Sequence, residues 1–238
     1  MIKTEAVNSY KQFAKGIGIV ILYFALPYLL MLPFALFKIY DPTNSNLINS
    51  LIYLALQGIM LLIICFIFRQ DLKTEYLDFK KNYQKYLTIS LKIWFVGLLL
   101  MMLSNWIIAA FITNSSGAAN EMANRDLMQN FPLFAFPAIM IIAPIIEELV
   151  FRKSFKKAFS QMLPFVIFTG LAFGGIHIVS SYETLSDLLY LIPYGALGIA
   201  LGYMYYQTNN IVANISIHII HNTFTVSLIL ISWLLRYL

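Results

Sequence analysis

Long unbroken apolar runs alternate with shorter polar stretches along this chain of 238 residues. A helix needs about 20 mostly apolar residues to cross roughly 30 Å of hydrocarbon. Seven runs meet that length: Gly16–Phe37, Ser50–Phe68, Ile93–Ile112, Pro132–Val150, Met162–Ser180, Leu185–Tyr206 and Ile211–Leu235. Only Tyr182-Glu183-Thr184 clearly separates the fifth from the sixth. The apolar positions are continuous rather than alternating, which excludes the weak ten-residue segments of a membrane β-barrel. The expected fold is an all-α, polytopic membrane helix bundle of about seven transmembrane helices.

Composition agrees with this pattern. Hydrophobic residues make up 60% of the chain, charged residues 11%, and mean hydropathy is +0.76. A soluble domain carries about 25% charge, so a soluble globule, a disordered chain and a nucleic-acid-binding domain are excluded. The net charge of +5 therefore bears on orientation. If the loops alternate sides, thirteen Lys and Arg fall on the face of the N-terminus and three on the other. The excess predicts a cytoplasmic N-terminus, with the loop holding Arg152, Lys153, Lys156 and Lys157 on the same side. Asn114 to Asn130 reads as a polar extracytoplasmic loop. It divides three N-terminal spans (residues 1–115) from a four-span core (residues 116–238). The single cysteine, Cys65, lies in an apolar run and reads as a buried packing residue.

Nine of the eleven acidic residues sit in loops, tails or span edges, whereas Glu147 and Glu148 continue an apolar run. A charge at mid-bilayer costs about 2.5–3.5 kcal/mol on insertion scales and marks function by default. Glu148 precedes Arg152 by four residues, the favourable order for a helical ion pair; Glu147 points about 100° away and is not explained by it. All three histidines, His177, His218 and His221, also lie in apolar segments. His218 and Asn222 share a helical face. The fourth and fifth spans form a hairpin about Gln161–Pro164, and Glu147 and His177 are equally far from its centre. His218 lies about 10 Å into the last span at 1.5 Å per residue. These residues are expected to converge beneath the cytoplasmic face. If His177 lies in that half, the residues to Ser181 are too few to finish the crossing, and a longer or broken helix is required.

A carboxylate beside a histidine can activate water for attack on a carbonyl, and apolar burial suits it to exchanging a proton near neutral pH. A second histidine and an amide can stabilise the oxyanion that develops. The same donors could hold zinc through three ligands, with Glu147, His177 and His218 as candidates.

Glu147-Glu148-x-x-x-Arg152, Phe173-x-x-x-His177 and His218-x-x-x-Asn222 together resemble the three signature motifs of the CPBP family of intramembrane proteases. That family includes type II CAAX prenyl endopeptidases, bacteriocin-processing proteins and abortive-infection proteins. The resemblance runs from about Pro132 to Thr223 and includes Gly195–Ile211 as the penultimate helix and its turn. It implies a membrane endopeptidase in which Glu147 activates water, His177 helps to hold it, and His218 and Asn222 stabilise the oxyanion. Glu148 completes the catalytic motif with Arg152 in support, and Phe173 is packing or pocket wall. The family has been described both as zinc-dependent and as metal-free, so the cofactor is none or zinc. Gly195, Gly198 and Gly202 read as close helix packing, and Pro144 as freeing the carbonyl of Met140. The expected partners are membrane lipids and a peptide or protein substrate, hydrophobic or lipidated, with no nucleic acid. The expected setting is a bacterial cell membrane with the site toward the cytoplasm. A proton-coupled transporter and a non-catalytic immunity protein are the alternatives.

Overall fold

The computed structural model describes residues 2–39, 47–111, 118–179, 182 and 184–235. Among them there is no β-strand, and seven helical stretches are long and apolar enough to cross a membrane. The helices are α1 (Ile2–Leu36), α2 (Leu47–Ile67), α3 (Arg69–Phe111), α4 (Ala119–Asn130), α5 (Pro132–Pro137), α6 (Ala143–Glu148), α7 (Met162–Val179), α8 (Leu191–Thr208) and α9 (Ile211–Leu234). Many Leu, Ile and Phe side chains on these spans are exposed, as a lipid-facing surface requires.

Three elements depart from the hydropathy pattern. The third span begins far earlier than expected. Its polar stretch is helical from Arg69 and joins the apolar half through a kink at Asn82 (φ −120°, ψ 17°). Lys, Glu, Gln and Leu are good helix formers, so polarity there did not mean a loop. The polar connector contains α4, held by an Arg125–Glu121 pair at 2.5 Å and by buried Met128 packed on Ala135, Val226 and Ile229. Asn114 to Gly117, and with them the boundary between residues 115 and 116, lie outside the described residues. The sixth span enters through a short 3₁₀ helix, Leu185–Tyr190, which Thr184 and Asp187 cap reciprocally. Cys65 is half-buried, because α2 turns part of its surface outward in a bundle whose solvent is apolar.

The core of the bundle is α7, α8 and α9 with α3 laid along them. Gly198 allows α8 to close on α7: a Cβ there would lie 2.7 Å from the Gly170 carbonyl and 3.1 Å from the Phe173 ring. Gly202 is similarly tight against Thr169; at Gly195 it is the backbone that packs, 3.1 Å from where a Cβ on Gly174 would lie, while a Cβ on Gly195 itself would meet nothing within 4 Å. The turn from α8 to α9 uses Asn209 in the left-handed region (φ 49°) and Asn210 as N-cap, its Oδ1 accepting from the N–H groups of Val212 and Ala213. Asn210 Nδ2 donates to the Glu75 carbonyl (2.8 Å) and to Asp78 (3.1 Å), and Glu75 accepts from the Ile211 N–H (2.5 Å). Two carboxylates of α3 thus sit at the positive end of α9 and fix how far that helix enters the bundle.

Candidate active site

The fourth span is not one regular helix. Two π-helical turns, Ala138–Ile142 and Leu149–Lys153, flank the six residues of α6. In the first, the Ala143 N–H bonds the Ala138 carbonyl, five residues back. The acceptor standing opposite the Pro144 nitrogen in that register is Ile139, and proline has no N–H to give it. Asn222 supplies the missing donor, its Nδ2 lying 2.8 Å from the Ile139 carbonyl. The missing proline N–H is thus felt at Ile139, whose carbonyl Asn222 satisfies.

Beyond this turn, Glu147 and Glu148 are both buried, and they part company. Glu148 is fully enclosed. Its Oε1 lies 3.1 Å from Arg152 Nη1 and 2.9 Å from His218 Nδ1, and its Oε2 accepts from Asn214 Nδ2 at 2.9 Å. Arg152, equally enclosed, donates from Nη2 to the Gly198 carbonyl (3.3 Å) and lies 4.3 Å from the Phe173 ring centroid. A buried cation is tolerable only with such partners. Phe173 also meets His177 (4.6 Å between centroids) and His218 (5.5 Å) edge-on, so its ring joins all three polar groups as a wall.

Glu147 faces His218 from the other side, its Oε2 3.7 Å from Nε2. Because ionised Glu148 can only accept, Nδ1 of His218 carries the proton of their bond, and Nε2 is the nitrogen turned toward Glu147. His177 stacks on Tyr194 with centroids 4.6 Å apart. It lies two residues from the end of α7. That helix spans about 27 Å in its 18 residues, so it completes a crossing without extension. His177 accordingly sits near the far end of α7, not in the half where Met162 begins it.

Glu147, His177, His218, His221 and Asn222 all line one cavity of about 650 Å³. His221 has a separate structural tie, accepting at Nδ1 from the Trp94 indole N–H at 3.2 Å. Asn214 and Trp94 were missed in the sequence. Asn214 had a signal: Asn210, Asn214, His218 and Asn222 recur every four residues on α9. Among the described residues, no three His, Cys, Asp or Glu side chains are grouped so that they could hold a metal ion. The bond from Nδ1 of His218 to Glu148 leaves Nε2 as the nitrogen open to a substrate, a proton or a metal.

The polar face of this cavity falls inside a recognisable segment. Residues 129–224 match the family model described as type II CAAX prenyl endopeptidase Rce1-like. Over those residues the chain resembles that family. The matched segment holds every member of the cluster, from Glu147 to Asn222. Over 111 residues the chain is 33% identical to "Putative membrane peptidase YdiL" of Bacillus subtilis (strain 168), covering 45% of this chain and 41% of that one. It is 25% identical over 146 residues to "UPF0177 protein YvdC" of Lactococcus lactis subsp. lactis (strain IL1403), covering 61% and 54%. The chain thus spans about half the length of the curated relatives it matches. No solved structure matches it.

Proposed function

We propose that the chain is a membrane-embedded endopeptidase that cleaves a peptide bond with water activated by Glu147. The observation that carries this reading is the Glu147–His218 pair on the wall of a largely apolar cavity, with the far nitrogen of His218 held by Glu148. The oxygen of water attacks the peptide carbonyl carbon as Glu147 takes its proton. His218 Nε2–H and the second amide hydrogen of Asn222 donate to the oxyanion that forms. Collapse breaks the C–N bond, and Glu147 returns its proton to the leaving amine. With protons on both nitrogens of His218, the four groups Glu147, Glu148, Arg152 and His218 carry +1 once Glu147 has taken the water's proton, and the oxyanion's charge brings the buried cluster to zero. His177 steadies the water from the Tyr194 side. Glu148 and Arg152 position His218. Each of these steps uses the chain's own side chains and no metal.

The charge bias of the loops supports a cytoplasmic N-terminus. The substrate class is a peptide or a membrane-tethered protein segment. The test is purified protein incubated with a peptide panel and read by mass spectrometry, beside Glu147→Gln. The amide keeps shape and removes the base, so cleavage should fall by about a hundredfold or more while the melting profile is retained. Cleavage within tenfold of wild type removes Glu147 from the role of base.

A further inference from the structure

The cavity and the basic loops lie toward opposite ends of the bundle. Along α9 the lining residues run from His218, about 10 Å from Ile211, to Ile229, about 27 Å from it. Met101 and Asn105 line it from the last turns of α3, and α4 contributes Glu121, Asn124 and Met128. All of these are remote from the Lys-rich start of α3 and from Lys153.

The end toward the basic loops is closed. Glu148, Arg152 and Asn214 are fully buried beneath the cavity. Below them Lys153 pairs with Glu75 and with Asp71 (3.0 Å), and Asn210, also fully buried, ties α9 to α3. The exposed lining residues are at the other end. Phe24 and Tyr28 on α1 and Tyr53 on α2 are 42%, 79% and 40% exposed. Tyr28 lies eight residues from the end of α1, and Tyr53 six from the start of α2, about 12 and 9 Å below those termini. Rings with a polar tip at that depth suit the boundary between lipid and water.

We infer that the cavity is reached from the extracytoplasmic side, past a rim of Phe24, Tyr28 and Tyr53 and beneath α4. The substrate is then a membrane-tethered polypeptide that presents an extended segment from the outer half of the bilayer. This rests on the endopeptidase reading for the word substrate, but the side of access does not. It also replaces the cytoplasm-facing site expected from the hairpin arithmetic. That arithmetic placed the Glu147–His218 floor and not the mouth.

The test is thiol accessibility of the full chain in membranes. In a Cys65→Ser background, single Asn105→Cys, Asn124→Cys and Lys80→Cys variants are treated with a membrane-impermeant maleimide in right-side-out and in inside-out vesicles. Asn105→Cys and Asn124→Cys should label at least tenfold faster in right-side-out vesicles, and Lys80→Cys tenfold faster in inside-out ones. Labelling of the two cavity positions only in inside-out vesicles overturns the inference. So does protection of both positions in both preparations when the denatured protein labels fully. Two cavity positions on different helices guard against one variant misfolding. The labelling pattern is independent of cleavage, so a protein that labels as expected and cuts no peptide refutes the endopeptidase reading alone.

Discussion

Replacing Arg152 with methionine should be among the most damaging single changes in this chain, and the damage should be repaired by a second change at Glu148. Arg152 and Glu148 are both fully buried with 3.1 Å between their charged atoms. At an effective dielectric constant of about 20, unit charges at that separation attract by about 5 kcal/mol. Arg152→Met leaves Glu148 with hydrogen bonds from His218 and Asn214 but no permanent cation beside it. Breaking one side of a buried pair costs about 3–5 kcal/mol, which agrees with the electrostatic figure. For a chain of this size that is a fall of about 6–20 °C in Tm. Glu148→Gln with Arg152→Met removes both charges and keeps a side-chain oxygen for Asn214, so most of the loss should return. The assay is thermal unfolding in detergent, followed by tryptophan fluorescence, over the complete double-mutant cycle. A fall below about 2 °C for Arg152→Met, or a double variant no more stable than the single, would refute the view that Glu148 depends on this cation.

Other outcomes follow from the same geometry. Gly198→Ala forces a Cβ to 2.7 Å from the Gly170 carbonyl and should cost about 1–3 kcal/mol. Gly195→Ala, which meets nothing within 4 Å, should be neutral or stabilising in the same melting assay. Asn222→Ala should lower stability by about 1–3 kcal/mol through the orphaned Ile139 carbonyl. It should also lower kcat about a hundred- to a thousandfold with little change in KM, and a change confined to KM would refute the oxyanion role. Chelator treatment should leave peptide cleavage unchanged; inactivation reversed by added zinc would overturn the metal-free mechanism.

The helices and the cluster were legible for the same reason: apolar solvent makes every polar side chain in a span conspicuous. Glu147, Glu148 and the three histidines stood out as interruptions of apolar runs, and the four-residue step joined Glu148 to Arg152. Asn214 was passed over because an uncharged amide interrupts a run less than a charge does, although its spacing from His218 was visible. The clamp of Glu75 and Asp78 on Asn210 could not be read, because its partners lie over 130 residues apart and no local spacing encodes them. The helix at 119–130 was hidden by an Asn- and Ser-rich neighbourhood, although Glu121 and Arg125 already stood at pairing distance. Depth was the weakest inference. Counting residues from a turn assumes straight helices, whereas the fourth span contains two π turns and continues into a 3₁₀ turn at Lys156–Ala158 before α7 begins.

The first π turn sets the rotational phase of everything that follows it. Each residue of a regular helix advances the azimuth by 100°, and a π turn accommodates one residue more than an α turn would. Deleting a single residue within 138–142 and closing the turn to an α register would therefore leave Glu147 in phase with Pro132. Deleting one within 143–146, with the π turn kept, would swing Glu147 by about 100° relative to Pro132, away from His218, while α9 stayed anchored at its other end by Asn210. Chain length between Pro132 and Glu147 is in this sense an angular setting, and the number of residues there matters separately from their identity.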